Sequence, residues 1–172
     1  MNLVYEGRCW KLGDDVSSDE LISAQHVFEY DPQKLREHLL EERLPDFAKQ
    51  ARAGDIVLAG TRFAHGSQHT HPFLAMKAIG LGLLIQAPPR PSFRLAIYCG
   101  LPLLDIGRDV IEFLHDADSV RVDFQKGEIT NLTDGTKLSV APLPGFLLDI
   151  VQAGGGMGFL QSGQNTTERQ ET

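Results

Sequence analysis

The stretch from Gly54 to Gly80 constrains this chain most, because a buried strand, a polar loop and a helix follow one another in it. It reads GDIVLAGTRFAHGSQHTHPFLAMKAIG. The apolar run at 56–59 predicts a buried strand, and the apolar spacing over 74–79 predicts a helix after the loop. The loop between them holds Gly66, Ser67, Gln68, His69, Thr70 and His71. Because backbone N–H groups are unpaired at the start of a helix and can hold an anion, this loop is a candidate site.

The length and composition predict one globular domain with a full-sized core. The chain has 172 residues, of which 42% are hydrophobic and 23% charged. Its net charge of -7 argues against a nucleic-acid-binding surface. No apolar run approaches the ~20 residues that a membrane span needs, and MNLVYEGRCWKLG lacks the apolar region of a secretion signal. We therefore expect a cytoplasmic protein with neither a nucleic-acid nor a membrane partner.

The cysteine content limits both disulfide and cluster chemistry. Cys9 and Cys99 are the two cysteines of the chain, and they do not make a disulfide framework. Two thiolates also cannot ligate an iron–sulfur cluster, which usually takes about four. Any such cluster would have to come from another chain. We interpret both cysteines as small buried hydrophobic residues rather than nucleophiles.

Strand and helix patterns alternate early and strand patterns dominate later, which predicts a mixed α/β domain. Predicted strands cover 3–12, 56–59, 81–86, 101–106, 121–124, 128–131 and 136–140, with a hairpin turn at Asp134–Gly135. Predicted helices cover 33–42, 45–52 and 92–99, besides the helix after the Ser67 loop and a last one that begins at Pro144. Asp31 and Pro32 are expected to start the helix at 33–42. The domain is expected to span residues 1–160, and the polar tail 161–172 is expected to be disordered.

Ser67 is the leading candidate for a catalytic residue. A serine can act as a base only if its alkoxide is stabilised. Gly66 lets the backbone approach closely, and the following helix start supplies N–H donors and a partial positive charge. The alternative is that Ser67 and Thr70 only cap the helix. The local pattern leaves both interpretations open.

Other polar residues offer weaker alternatives. Histidine is the commonest metal ligand, so His65, His69 and His71 raise the possibility of a metal site. No carboxylate follows within the next dozen residues, and a polar loop lining a cavity is the better interpretation. Asp19 lies in a polar loop, where an acidic residue taken alone is typical of a turn or a helix cap.

Several segments together resemble the small subunit of 3-isopropylmalate dehydratase, the stand-alone form of the aconitase swivel domain. They are GRCWKLGDDVSSDELISA at 7–24, DPQKLREHLLEERLPDFAKQARAGDIVLAG at 31–60, FAHGSQHTHPFLAMKAIG at 63–80, FRLAIYCGLPLLDI at 93–106 and GEITNLTDGTKLSVAPLPGFLLDIVQAGG at 127–155. The resemblance covers nearly the whole chain, in order and with similar spacing.

The resemblance implies a swivelling β/β/α three-layer domain of the aconitase C-terminal type. It further implies a hydro-lyase subunit that is active only with a large subunit. In the family, the large subunit holds a four-iron four-sulfur cluster, which acts as a Lewis acid, and the swivel domain supplies a serine alkoxide that takes a proton from carbon. The substrates are hydroxy di- or tricarboxylic acids. This chain itself is expected to bind no cofactor and no metal.

The same resemblance assigns residues to roles. Ser67 falls on the catalytic base serine, and Gly66, Gln68, His69 and Asp19 fall on substrate-binding positions. Gln68 replaces a second serine of the family signature, and His69 replaces the arginine that contacts substrate. Of the remaining positions, Thr70 replaces a glutamate, His71 matches the signature histidine and Ser18 falls on a threonine.

The loss of the arginine is the main departure from the family. Histidine cannot copy the fork of a guanidinium, and its charge depends on pH. The loop at 26–30, HVFEY, also lacks the arginine that family members often have there. Losing one anion contact of ~2–4 kcal/mol would lower rate or affinity about 100-fold for an unchanged substrate. Three interpretations follow: the substrate has changed, the partner supplies the missing charge, or activity is reduced or absent.

Overall fold

A single seven-stranded sheet organises the chain. The structure is a computed structural model that describes the backbone of residues 3–168 and the side chains through residue 163. The strands lie in the order β4-β3-β2-β1-β5-β6-β7. They are β1 (Val4–Gly13), β2 (Ile56–Ala59), β3 (Gly82–Gln86), β4 (Leu103–Ile106), β5 (Ser119–Asp123), β6 (Glu128–Asn131) and β7 (Lys137–Ser139). None of the helices in the described part is long and apolar enough to cross a membrane.

Eight α-helices accompany the sheet in the described part of the chain. They are α1 (Ser18–Leu21), α2 (Pro32–Leu35), α3 (Phe47–Gln50), α4 (His71–Ile79), α5 (Arg90–Tyr98), α6 (Arg108–Phe113), α7 (Gly145–Gln152) and α8 (Gly156–Glu168). Two 3-10 helices, Ala24–His26 and Arg36–His38, lie on either side of α2.

Strand β1 belongs to two differently paired halves of the sheet. Its second half runs parallel to β2, with Cys9 opposite Ile56. Its first half runs antiparallel to β5, with Val4 opposite Asp123. The pairs β2–β3 and β3–β4 are parallel, whereas β5–β6 and β6–β7 are antiparallel. The sheet is therefore parallel on one side of β1 and antiparallel on the other.

Both faces of the parallel half are buried, which explains its continuous apolar strands. Alternate residues of β2 enter different cores. Val57 packs with Leu83 on the side of α1 to α4. Leu58 packs with Leu84 and with the apolar residues of α6 and α7. This layered arrangement is the mixed α/β swivel-type fold that the resemblance implied.

A buried carboxylate fixes the start of β2 against β1. Asp55 is 5% exposed. It accepts hydrogen bonds from the Arg8 backbone N–H at 2.8 Å, from Trp10 Nε1 at 2.9 Å and from the Arg52 backbone N–H at 3.0 Å. These donors belong to β1, to a core tryptophan and to the segment just before β2. Because all of them bond to the Asp55 side chain, Asp55 fixes the β1–β2 register.

Several element boundaries differ from the sequence prediction. The helix predicted at 33–42 was wrong in extent: α2 ends at Leu35, a 3-10 turn follows, and Leu40 has a positive φ of 59° that breaks the helix. Asp31 does cap α2, and its Oδ1 accepts from the Gln33 N–H at 2.9 Å. The short helix α1 occupies the predicted polar loop, and α6 was missed.

The predicted hairpin between β6 and β7 is confirmed, but its turn is longer than Asp134–Gly135. β6 ends at Asn131 and β7 begins at Lys137, and the Asn131 N–H donates to the Thr136 carbonyl at 2.9 Å. Helix α8 enters the segment predicted as a disordered tail, and 169–172 lie outside the described residues. The domain boundary at residue 160 and the disorder of the tail therefore stay predictions.

Candidate functional site

The site loops meet because β1 and β2 are parallel neighbours, so that their carboxyl ends share one edge of the sheet. The loop after β1 covers 14–17, and the loop after β2 covers 60–70. Three backbone N–H groups donate across the gap between the two loops: Asp15 to the Thr61 carbonyl at 2.9 Å, Ala64 to Val16 at 2.7 Å and Ser18 to His65 at 2.8 Å. These bonds bring the first turn of α1, with Asp19, to the side of Gly66 and Ser67.

Gly66 gives the second loop its turn. Its φ is 93°, a conformation that side-chain-bearing residues rarely adopt. A Cβ at this position would approach Ser18 Oγ to 3.6 Å, which is ordinary contact, so the requirement is conformational rather than steric. The Ser18 hydroxyl is buried and, within the described residues, has no hydrogen-bond partner. The buried Ser18 oxygen therefore adjoins the Gly66–Ser67 backbone and is free to donate.

Ser67 is exposed and does not cap the following helix. In the described part of the chain its hydroxyl makes no hydrogen bond. Helix α4 begins at His71, and its N-cap residue is Thr70, whose side chain makes no capping hydrogen bond. The capping alternative for Ser67 and Thr70 therefore finds no support. Gln68 is also exposed, and its Nε2 donates to the Gly66 carbonyl at 3.1 Å, which tightens the turn.

Two histidines that follow Ser67 in the sequence contact each other. The Nδ1 atoms of His69 and His71 are 3.1 Å apart, so one ring donates to the other. His71 is 3% exposed, and its Nε2 is buried without a partner among residues 3–163. Burial lowers the pKa of His69, His71 lowers it further, and Asp19 opposes the shift. His69 is therefore a neutral imidazole at neutral pH, unlike the arginine of the family signature.

Asp19 lies near enough to His69 to act on its pKa, so the structure brings together all five predicted site residues. Tyr30 adds a residue that the sequence did not single out. Its ring packs against His71 with centroids 4.9 Å apart. An aromatic residue in a polar loop before a proline was the available signal, although its contact with a helix forty residues later could not be inferred.

The three-histidine metal site predicted as an alternative does not form. His65 Nε2 contacts Asp15 Oδ1 at 3.1 Å, whereas His69 and His71 face each other. Across the described residues, one convergent group of three ligand-type side chains exists, and it consists of His26, His38 and Glu41. No local sequence pattern indicates this group, because His26 is twelve residues from His38 along the chain.

The fold and the Ser67 loop define a swivel domain of the aconitase type. No protein-family model matches the chain. It is 40% identical over 158 residues to "3-isopropylmalate dehydratase small subunit 1" of Archaeoglobus fulgidus, covering 91% of this chain and 96% of the relative. It is 38% identical over 161 residues to the corresponding subunit of Aquifex aeolicus, covering 92% and 95%.

A solved structure agrees with these relatives. The crystal structure of 3-isopropylmalate dehydratase from Methanocaldococcus jannaschii superimposes with a TM-score of 0.89 at 27% identity, covering 97% of this chain and 99% of that one. The "Isopropylmalate/citramalate isomerase small subunit" of the same organism is 34% identical over 162 residues, which cover 94% of this chain and 96% of that protein. The chain belongs to the family of 3-isopropylmalate dehydratase small subunits, which are subunits of aconitase-type hydro-lyases.

Proposed function

We propose that this chain, with a large subunit, removes and re-adds water on a hydroxy di- or tricarboxylic acid, and that Ser67 is the base. The observation that carries the proposal is the exposed and unpartnered Ser67 hydroxyl, which stands in the same loop as the neutral His69. An exposed hydroxyl can reach a substrate held by a second protein. The relatives named as small subunits support the presence of such a partner.

Ser67 would take a proton from a substrate carbon as an alkoxide. An alkoxide needs hydrogen-bond donors or positive charge around it. Gly66 turns the backbone there without a side chain, the buried Ser18 hydroxyl lies beside that turn, and Gln68 holds the turn closed. Docking of the large subunit would remove water from this exposed loop and strengthen each of these contacts.

The iron–sulfur cluster of the proposed reaction belongs to the partner, because this chain does not fit one. Its two cysteines are buried in the core. Burial raises the pKa of Cys9 to about 12 and that of Cys99 to about 11, so neither is a ready thiolate. The cluster would supply a Lewis acid for the departing hydroxyl. The chain's own residues position the substrate and move the proton.

His69 sets the expected substrate preference. A neutral imidazole can donate one hydrogen bond to a carboxylate but supplies neither the charge nor the fork of arginine. We therefore expect the substrate to be a hydroxy acid that resembles 3-isopropylmalate but whose binding depends less on a positive charge at position 69. If the large subunit supplies the missing charge, 3-isopropylmalate itself remains a substrate.

The test is a Ser67→Ala variant in a complex reconstituted with a cysteine-rich large subunit and assayed on a panel of hydroxy acids. We expect turnover to fall at least about 100-fold, while the complex still forms. The matched control is Ser139→Ala, since Ser139 is an exposed serine on β7, away from the loop. Activity of Ser67→Ala within a few-fold of the parent would remove the base assignment.

A second candidate is a binding subunit without turnover, which the missing arginine favours. The complex would then bind hydroxy acids but dehydrate none of them. Titration calorimetry beside the activity panel distinguishes the two. Binding without turnover by the parent supports the second candidate, and turnover of any acid on the panel excludes it.

A further inference from the structure

Three side chains outside the Ser67 loop converge on one point of the surface. Glu41 Oε1 lies 2.6 Å from His26 Nε2, and Glu41 Oε2 lies 2.7 Å from His38 Nδ1. The two imidazole rings stack with centroids 3.8 Å apart and planes at 19°. The ligand-type atoms of all three residues lie within 4.8 Å of one another. Two imidazoles and a carboxylate are thus held together without a lysine or arginine pairing with Glu41 in the described residues.

We propose that His26, His38 and Glu41 form a binding site for a divalent transition metal ion, with zinc as the best fit. Two histidines and one glutamate are a donor set that zinc uses, with bonds of about 2.0–2.2 Å. Tetrahedral bonds of that length place ligand atoms about 3.3 Å apart, so the three atoms would shift and the two stacked rings would tilt until their in-plane lone pairs meet at one ion. Bonds to the ion would replace the hydrogen bonds that now link the rings to Glu41, and each coordinating ring nitrogen would offer its lone pair.

The surroundings leave room for a fourth ligand. His38 and Glu41 line an open cleft of about 660 Å³, together with Gln33, Arg36 and Lys49. All three proposed ligands are partly exposed, so an ion can enter from solvent. Gln25 Nε2 also contacts Glu41 Oε1 at 3.3 Å and would orient that carboxylate as an outer hydrogen-bond donor. The cleft would provide water as the fourth ligand.

A metal ion bound at this site would restrain a loop that reaches the Ser67 region. His26 ends one 3-10 helix and His38 ends the other, so the ion would close the segment 27–37 at its base. That segment carries Tyr30, which packs on His71. It also carries Phe28, whose side chain is 90% exposed. A bound ion would restrict the loop that covers His71 without contacting the serine itself.

The experiment is zinc titration of the full chain, purified without a histidine tag, by calorimetry, with cobalt absorption as a second probe. We expect one ion per chain, and affinity lowered at least about 10-fold in His26→Gln and in Glu41→Gln. The control is His115→Gln, because His115 also faces a carboxylate three residues away, that of Asp118, but has no second imidazole. Circular dichroism checks that each variant is folded.

Zinc binding that is absent, or that survives both His26→Gln and Glu41→Gln unchanged, would overturn the metal site. Hydrogen exchange of residues 27–31 tests the loop separately. We expect zinc to slow exchange there in the parent and in His115→Gln but not in His26→Gln. Unchanged hydrogen exchange with one zinc ion bound would overturn the proposal that the ion restrains this loop.

Discussion

Tyr30 packs its ring against His71 at a centroid distance of 4.9 Å and an interplanar angle of 47°. Tyr30 is 65% exposed and lies on the loop after the first 3-10 helix, whereas His71 is the buried first residue of α4. His71 in turn contacts His69. The contact therefore connects a solvent-facing loop, through one buried ring, to His69, which is two residues from the candidate base in the sequence.

Removing the Tyr30 ring should weaken substrate binding more than it weakens folding. An aromatic contact of this kind contributes about 0.5–1.5 kcal/mol, so Tyr30→Ala should raise KM by about 2- to 10-fold. Tyr30→Phe keeps the ring and should stay near the parent. Steady-state kinetics of the reconstituted complex measure both. An equal loss in the two variants would assign the effect to the hydroxyl instead of the ring.

Restoring the signature arginine should improve turnover of 3-isopropylmalate. A guanidinium at position 69 regains a charge-assisted, bidentate contact, and we expect His69→Arg to raise kcat/KM for that substrate by roughly 10- to 100-fold. Gln68→Arg is the control, since it adds the same charge one residue away on an exposed side chain. An equal gain in Gln68→Arg would point to general attraction of anions.

Protonation of His69 should destabilise the fold below neutral pH. In the folded protein, burial lowers the pKa of His69 below its ordinary value of 6.5, and the neighbouring His71 lowers it further. Above pH 6.5 both folded and unfolded forms are neutral and no penalty exists. As pH falls below 6.5 the unfolded chain binds the proton first, so stability falls until the folded pKa is passed. Urea unfolding of the parent and of His69→Gln between pH 5 and 7.5 measures this effect. We expect the free energy of unfolding to fall less steeply with decreasing pH in the variant than in the parent.

Asp55→Ala should be strongly destabilising. Three N–H donors, of which that of Trp10 is fully buried, lose their acceptor at about 1–1.5 kcal/mol each, which gives a loss of about 3–4.5 kcal/mol. Asp46→Ala is the matched control, because Asp46 is exposed and faces Lys49 at 3.8 Å; it should change stability by less than about 0.5 kcal/mol. Denaturant unfolding measures both. Similar losses in the two variants would contradict the register role of Asp55.

Gly82 should not tolerate a methyl group. A Cβ there would lie 2.6 Å from Cζ and 2.8 Å from Cε2 of the buried Phe124 ring. Gly82→Ala should therefore cost about 1–3 kcal/mol through overpacking. Gly145→Ala is the control, since no atom lies within 4 Å of its added Cβ. Thermal unfolding should show a lower Tm for Gly82→Ala than for the parent, and no decrease in Tm for Gly145→Ala.

The sequence predicted the parallel half of the sheet well because apolar runs such as Ile56–Ala59 have one plausible environment, a strand covered on both faces. It failed at the helix predicted for 33–42, because Leu39 and Leu40 satisfy a helical stripe although the chain turns at Leu40 to enter the core. Helix α6 was missed because six residues carry too little periodicity.

The candidate site was predictable in its residues but not in its arrangement. Ser67, Gly66 and His69 stand together in one loop, and the resemblance added Asp19 from another. The buried contact between His69 and His71, and the meeting of His26 with Glu41, depend on how separate segments pack. No local pattern encodes such contacts, and the roles of the five site residues stay predictions until they are tested.

The double pairing of β1 bears on the order in which the chain can assemble during synthesis. β1 to β4 and both site loops are encoded before residue 107, so the ribosome releases the entire parallel half ahead of β5 to β7. A nascent chain could thus form the serine loop while the first half of β1 still presents an open edge, a natural place for a chaperone to bind until β5 arrives.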